Sequence, residues 1–446
     1  MAKKKVKNNP LIEKIISLSR RRGILFQSSE IYGSINAVYD YGPLGVELKR
    51  NVKDHWWKNI VTARENILGM DAAILMHPKV WEASGHIENF HDPMVECKKC
   101  RKRFRVDNLP ENTTRCPECN GELSEPKQFN LMFKTELGST EDSSQEIYLR
   151  PETAQGIFIN FNNITSSNRV KLPFGIAQIG KAFRNEITTG NFIFRTREFE
   201  QMEMEFFIRP GENDKWLEYW KNERLNWYKS LGITPEKLRL HPHSEDELAH
   251  YSEACYDIEY EFPFGFSELE GIADRGTFDL TQHINYSGKK LHYIDQQNRG
   301  EKIIPAVIET SAGIDRTILT ILVDSYWEDE ENNRTVMRFS PEIAPIKVAI
   351  FPLFNKQGMP EIARKIFDEL KFKISSFYDG GGSIGKRYRR QDEAGTPFCI
   401  TVDHQSLEDK TVTIRERDSL KQERIAISKI ELVINEKIYE AIKSFR

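Results

Sequence analysis

Two groups of residues in this chain have types and spacings that do chemistry. Cys97, Cys100, Cys116 and Cys119 form two C-x2-C pairs with fifteen residues between them, the arrangement in which two knuckles close four thiolates into a tetrahedron around zinc. Four thiolates fill the shell of such an ion, so the expected metal is structural and the reaction centre lies elsewhere. The second group reads FRNEITTGNFIFRTREFEQMEMEFF from Phe183 to Phe207: an Arg-x-Glu on an expected strand, a polar loop, then a second strand with alternating glutamates. Such a hairpin presents arginines and carboxylates on one face. Arginine forks suit a triphosphate, and carboxylates suit a cation or an amine. Taken alone, the pattern equally describes a charged hairpin in solvent.

A third string is a decoy. Gly380 to Arg387 reads GGGSIGKR, which satisfies G-x-G-x-x-G and most of a phosphate-cradling G-x-x-x-x-G-K loop. The residue after Lys386 is Arg387 rather than the Ser or Thr that would hold magnesium, and no strong hydrophobic run immediately precedes the glycines. The glycines are expected to turn a loop into the basic segment Lys386, Arg387, Arg389 and Arg390, which suits an RNA backbone. Lys3 to Lys7, Arg20 to Arg22 and Lys98 to Arg105 are further basic clusters, read first as solvated faces. Cys255 and Cys399 stand apart and read as ordinary core or surface residues.

The elements that must position these groups follow from periodicity. Leu11, Ile12, Ile15, Ile16 and Leu18 predict a helix ending at Gly23. A helix over 46–60, a strand over 72–76 and a stop at Pro78 come next, and the Cys- and Pro-rich stretch 93–126 reads as a small inserted module. Strand-like runs at 147–149, 175–179, 192–194, 202–208 and 302–308 predict an antiparallel sheet with helices packed on it. Beyond 340–345 the pattern alternates: strand at 346–351, helix at 362–370, strand at 398–402, and a last helix after Ser428. The expected fold is therefore α+β, with a larger domain over 1–343 carrying the insertion and a compact α/β domain over 344–446.

With 446 residues and 39% hydrophobic content the chain can build two or three packed domains. Its net charge of −3 shows no global basic footprint, which neither supports nor excludes RNA. No apolar stretch approaches the roughly 20 residues that cross a bilayer. The opening MAKKKVKNNP has no apolar core behind its lysines, so a cytoplasmic protein away from membranes is expected.

Ser311 to Leu322 reads SAGIDRTILTIL, a Gly-x-Asp-Arg entering an apolar helix. Together with FRNE this resembles the third and second motifs of class II aminoacyl-tRNA synthetases, and the unit ending at Pro78 resembles the first motif, which builds the dimer interface in that family. The class I strings HIGH and KMSKS are absent. Longer strings narrow the resemblance to glycyl-tRNA synthetases: RRGILFQSSEIYG, YDYGPLGVELK, RPETAQGIF, FRTREFEQMEMEFF, IETSAGIDR and GSIGKRYRRQDEAGTPFC. They span essentially the whole chain. An enzyme for threonine, proline or histidine would carry different pocket strings in place of RPETAQ and IETSAG, and a non-catalytic descendant would be expected to lose Arg184 or Arg316.

The resemblance implies a ligase that activates glycine with ATP and magnesium, then passes the glycyl group to the 3′ ribose of its tRNA. Arg184, Glu186 and Arg316 are implied as catalytic. ATP contacts are implied for Arg184, Asn185 and Glu186, for Phe194, Arg195, Thr196, Arg197, Glu198 and Phe199, for Glu268 and Leu269, and for Gly313, Ile314, Asp315 and Arg316. Glycine contacts are implied for Arg105 and Glu152, for Phe199, Glu200, Gln201, Met202 and Glu203, and for Glu309, Thr310, Ser311, Ala312 and Gly313. A homodimer, a C-terminal anticodon-binding domain and a structural zinc, which some members carry, complete the expectation.

Overall fold

The computed structural model describes residues 9–106, 109–110, 113–138, 145–187, 190–244, 248–249, 252–295 and 300–444; the basic run Lys3 to Lys7 lies outside them. At the centre stands a seven-stranded sheet built from β1 (Ile67–Gly69), β2 (Phe174–Phe183), β3 (Glu198–Ile208), β4 (Leu238–Pro242), β5 (Ala254–Phe262), β6 (Gly265–Gly276) and β7 (Ala306–Gly313). Their order is β4-β5-β6-β7-β3-β2-β1. The β1 and β2 pair is parallel and every other neighbour is antiparallel.

The pleat of β3 divides its residues between two environments, because successive side chains point to opposite faces. Met202, Met204 and Phe206 face a core shared with α2 (Pro43–Trp57), α3 (Asn213–Ser230) and α5 (Ile314–Ser325), filled by Leu48, Trp56, Trp220, Trp227, Ile318 and Leu322. On the other face Phe207, Ile176 and Val307 pack under the helix Ala154–Ile159 and α4 (Phe278–Ser287). The first helix, α1 (Pro10–Arg22), is bounded as its sequence demands: the Asn9 side chain accepts from the Leu11 N–H at 3.0 Å, and Gly23 ends it at φ 68°.

Four expectations are corrected. Residues 72–76 form no strand; the Ala72 carbonyl is taken by Arg150 Nη1 at 2.8 Å and its N–H by Gln178 Oε1 at 3.2 Å, so side chains replace a ladder. Residues 192–194 form a 3₁₀ turn, because Asn191 and Phe192 take φ 55° and 61°. The FRNE arginine and glutamate lie just past the end of β2, not on it. The run 302–308 breaks at Pro305, which lacks an N–H, into Glu301–Ile303 and β7.

A second sheet contains β8 (Val348–Pro352), β9 (Ser376–Tyr378), β10 (Phe398–Val402), β11 (Thr411–Glu416) and β12 (Gln422–Ala426), in the order β9-β8-β10-β11-β12. The strands β8 and β10 pair in parallel and are buried along their whole length, as continuous apolar runs require. With α6 (Met359–Leu370) and α8 (Ile430–Ser444) they enclose a core of their own, and Ile384 and Tyr388 of α7 (Ile384–Ala394) pack with Ala349, Phe351 and Cys399 in a second cluster. The GGG segment is a loop tied by Asn355 Nδ2 to the Gly380 carbonyl at 2.5 Å, and Arg387 is buried, bonding the Pro352 and Gly382 carbonyls. Arg389 reaches the Asn332 carbonyl at 2.8 Å and Arg390 reaches Asp379 at 2.6 Å. Of the four cations expected to face RNA, Arg387 is therefore buried within the fold, whereas Arg389 and Arg390 reach protein acceptors from more exposed positions.

Buried charge joins the two cores. Asp392 of α7 accepts from Arg334 at 3.1 Å and from Arg415 at 2.9 and 3.0 Å, while Arg334 also binds Asp329 at 2.6 Å. Removing one partner from such a network strands the others without water. An Asp392→Asn substitution is therefore expected to lower the unfolding free energy by about 3 kcal/mol in urea titration; a loss within measurement error would mean that solvent already reaches these arginines.

Candidate active site

A cavity of about 280 Å³ opens on the sheet face opposite the Met202 core, bounded by β3, β6, β7, the loop that follows β2 and the start of α5. Register builds its floor. Gln201, Glu203 and Glu205 of β3 stand beside Gly313, Ser311 and Glu309 of β7, and Gly271 and Ala273 of β6 lie beyond Ser311 and Glu309. The absence of bulk at Gly271 and Ala273 leaves the floor open.

One end of the cavity is acidic and buried. Glu203 Oε2 accepts from the Thr153 N–H at 3.0 Å and from the Thr153 hydroxyl. Glu309 accepts from Arg275 Nη1 at 2.5 Å, and Arg275 turns its other two nitrogens to Asp279 at 2.8 and 2.9 Å. Glu152 faces His86 Nε2 at 3.2 Å and accepts from Gln155 at 3.0 Å. Glu205 is fully buried, with no hydrogen-bond partner on either oxygen among the described residues. Burial, reinforced by Glu309 and Glu152, pushes the Glu203 carboxyl up to about 8. Burial also raises Glu309, and lifts Glu205 well above the carboxylate range. Burial opposes the charge of Glu152 too, but His86 and Arg275 outweigh it and hold that group low. A cation entering here would let Glu203 ionise, so the pocket favours an ammonium group.

The other end holds arginines fixed by aromatic rings. The Arg184 guanidinium lies between Phe90 and Phe199, 5.3 and 5.4 Å from their centroids, and donates to the Pro151 carbonyl at 3.0 Å. Arg316 sits 4.6 Å over Phe194 and binds Glu268 at 2.8 Å. Arg316 in turn holds Glu268 ionised, below its ordinary range. Four residues separate Phe199 from Glu203 along β3, about 14 Å of strand, so an aromatic and cationic end faces an acidic end across one cavity.

The lining contains Arg184, Glu186, Phe194, Arg195, Thr196, Phe199, Glu268, Gly313, Asp315 and Arg316 from the expected ATP set, and Glu152, Gln201, Glu203, Glu309 and Ser311 from the glycine set. Ten expected residues are outside it. Met202, Thr310 and Ala312 lie on the opposite pleat. Leu269 and Ile314 are packed in the core. The Glu200 carboxylate binds Lys49 at 2.5 Å and Lys53 at 2.8 Å, and Glu198 pairs with Lys181. Arg197 donates to the Glu186 and Asn36 carbonyls at 3.1 and 2.8 Å, and the Asn185 N–H donates to the Leu131 carbonyl. Arg105 pairs with Asp92 at 3.2 Å within the cysteine module.

Sequence reading missed Arg275, His86, Phe90 and Thr153. Gly271 and Ala273 alternate onto the cavity face, but the register shifts between Asp274 and Gly276, so Arg275 sits at an irregularity that the sequence pattern does not mark. His86 and Phe90 come from a distant short helix and its end, and no periodicity marks them.

The four cysteines meet beside a three-stranded sheet of His91–Glu96, Arg103–Arg105 and Lys127–Asn130. Cys97 and Cys119 sulfurs are 3.5 Å apart and those of Cys100 and Cys116 are 3.7 Å apart. Thiolates on one tetrahedral zinc are separated by about 3.8 Å, so the residues fit that ion. Most of the basic cluster here is paired: Lys98 with Glu122, Arg101 and Arg103 with Glu96, and Lys102 with Glu118.

Comparison with known proteins adds the following. A family model described as the tRNA synthetase class II core domain (G, H, P, S and T) matches residues 133–326, and one described as an anticodon binding domain matches 347–437. A glycine–tRNA ligase of Treponema denticola is 59% identical over 424 residues, covering 93% of this chain and 94% of the relative. That of Borreliella burgdorferi is 53% identical over 442 residues (97% and 99%), and that of Geobacillus thermodenitrificans 51% over 457 residues (96% and 97%). In structure, the chain matches prolyl-tRNA synthetase from Cryptosporidium parvum complexed with L-proline and AMP, at TM-score 0.66 and 16% identity, over 97% of this chain and 78% of that one. At that identity the likeness concerns the fold.

The acidic end makes stability depend on pH. Glu203 titrates near 8 in the folded chain against an ordinary 4.5, so the folded state holds the extra proton between these values and stability falls as pH rises through that window. Glu203→Gln removes this contribution. The drop in unfolding free energy from about pH 5 to pH 8 is expected to be smaller in the variant than in the parent, and equal drops would show that Glu203 ionises freely.

Proposed function

The chain belongs to the glycine–tRNA ligase family, and from that premise we propose how its cavity performs the reaction. The enzyme joins glycine to tRNA at the expense of ATP. The observation that carries the reading is the division of one cavity into an arginine and aromatic end and a buried acidic end. Phe199 stacks on adenine, while Arg184 and Arg316, with Arg195, grip the phosphates. Glu152, Glu203 and Glu309 hold the glycine ammonium, with Ser311 beside them. Glycine has no side chain to grasp, so selectivity comes from this amine grip and from walls that refuse a larger group.

No side chain acts as nucleophile. The glycine carboxylate attacks the α-phosphorus, the bond to pyrophosphate breaks, and the fixed arginines offset the charge that develops on the departing oxygens. The 3′-terminal ribose hydroxyl of tRNA then attacks the adenylate carbonyl and releases AMP. Magnesium arriving with ATP adds charge compensation at the phosphates. Glu268, an oxygen donor at the rim kept ionised by Arg316, suits that ion, and Glu186 is a second carboxylate in the lining.

We read residues 1–343 as the catalytic domain and 344–446 as the anticodon-binding domain, supported by the separate cores. Residues 93–126 would be a module folded around structural zinc, supported by the spacing of the four sulfurs. A homodimer is supported by the resemblance of the unit ending at Pro78 to the first class II motif and by the exposure of Val46 and Leu75 on it. The cytoplasm is proposed as the place of action; among the described residues no helix is long and apolar enough to cross a membrane.

Exchange of labelled pyrophosphate into ATP is expected with glycine alone among the amino acids. Glu203→Gln or Glu309→Gln should raise the glycine KM about tenfold or more with the ATP KM near the parent's, and Arg316→Ala should lower kcat about a hundredfold. Exchange supported by another amino acid, or an unaltered glycine KM in both glutamine variants, would overturn the pocket assignment.

A further inference from the structure

At the edge of the cavity beyond β6, three side chains of unlike chemistry converge. Cys255 and Asp257 are two residues apart on β5, so both project to the same face, and their register partners are Ala273 and Gly271 of the cavity floor. His243 follows β4, its N–H donating to the Cys255 carbonyl at 2.9 Å and its Nε2 lying 2.9 Å from Asp257 Oδ2. One ligand atom from each of the three comes within 4.8 Å of the others. A second imidazole, His241, has its ring centroid 6.2 Å from that of His243.

We propose that His243, Cys255 and Asp257 form a transition-metal site that takes zinc or a comparably soft divalent cation, and that its occupancy slows the enzyme. A nitrogen, a thiolate and a carboxylate are donors that zinc accepts together, whereas magnesium and calcium take oxygen sets. Nitrogen, oxygen and sulfur donors on one tetrahedral zinc lie about 3.3 to 3.6 Å apart, so an ion would part His243 Nε2 and Asp257 Oδ2, now 2.9 Å apart, by a few tenths of an ångström and take the place of their direct contact. Surrounding charge favours a cation, since Glu268 and Glu309 add negative potential around Cys255. Three protein ligands leave a coordination position open, and Gly271 puts no bulk in its way: a Cβ there would meet only Asp257 Oδ1, at 3.9 Å. All three donors line the same cavity as Arg184, Arg195 and Arg316, so a zinc ion there would bind triphosphate or pyrophosphate oxygens and delay turnover. The inhibitory part rests on the nucleotide reading of the cavity; the metal site does not.

The test counts zinc bound to the full-length protein after dialysis against zinc chloride, in the parent, Cys255→Ala, Asp257→Asn and Cys100→Ser. The parent should carry one more ion per chain than Cys255→Ala and Asp257→Asn, and Cys100→Ser should keep the ion that those two lose. Zinc should suppress glycine-dependent pyrophosphate exchange in the parent more strongly than in Cys255→Ala, each compared with its own zinc-free rate. A parent holding a single ion lost in Cys255→Ala would support this site and remove the four-cysteine one. Equal zinc content in the parent and both triad variants overturns the proposal, and so does equal zinc sensitivity of exchange.

Discussion

Four glutamates buried in and beneath the acidic end of one cavity, Glu205 lying under the lining, set the terms for the rest of this structure. A carboxylate removed from water costs several kcal/mol unless it is paired, hydrogen-bonded or protonated, and Glu152, Glu203, Glu205 and Glu309 resolve the problem in different ways. Glu152 keeps its charge beside His86 and Arg275; Glu309 leans on Arg275; Glu203 takes two bonds from Thr153; Glu205, with no partner among the described residues, holds its proton. Arg275 is thus the internal counter-ion of the site, itself fixed by Asp279. The strain of like charges is also what makes the pocket selective, because an ammonium group relieves it and a neutral ligand does not. A methyl group in an adaptable pocket is discriminated by only about 1 to 3 kcal/mol, so rejecting larger amino acids requires walls that cannot yield. Strands β3 and β7, hydrogen-bonded on both sides near the centre of the sheet, provide them.

The part of this that could be read from the sequence is the part governed by period two. Alternation in FEQMEMEFF separates a glutamate face from a methionine face, and in the structure Glu203 and Glu205 are indeed divided from Met202 and Met204. The same rule, applied strictly, removes Glu200 and Met202 from the pocket, since neither shares a pleat with Glu203. Thr310 and Ala312 stand outside the cavity lining for the same reason. What periodicity could not supply was the set of supports arriving from elsewhere in the chain. His86 and Phe90 reach the site from a short helix far away in sequence, and Arg150 ties down the Ala72 and Ala73 carbonyls where no strand ladder does. Such positions are fixed by tertiary contact, which local pattern does not encode.

Basic clusters show the opposite failure. Their charge was evident, but a cation's partner depends on which acid the fold brings near. Residues 98–105 meet Glu96, Glu118, Glu122 and Asp92, while Arg387 and Arg389 meet carbonyls and Arg390 meets Asp379. A charge run in sequence therefore marked folded ion pairs here more often than a free electropositive surface. By contrast, β8, α6 and β10 were legible because buried parallel strands read as continuous apolar runs and the amphipathic helix repeats every three to four residues.

One link runs between the two faces of the central sheet and bears on how the site is set. Asp315, within the Gly-x-Asp-Arg string, lines the cavity, yet its oxygens accept from the Tyr41 hydroxyl at 2.5 Å and from the Glu200 N–H at 3.2 Å. Lys49 of α2 binds Glu200 at 2.5 Å and lies 3.7 Å from Asp315, with its ammonium 4.3 Å above the Tyr41 ring. The first turn of α5, and with it Arg316, is thereby tied to α2 through a compact charged cluster in addition to the apolar core the two helices share. The carboxylate of Glu200, which stands outside the cavity, acts on it through this cluster. Because Arg316 follows Asp315 directly, its place is set from two sides, by the bonds of Asp315 toward Tyr41 and α2 and by its own contacts with Phe194 and Glu268.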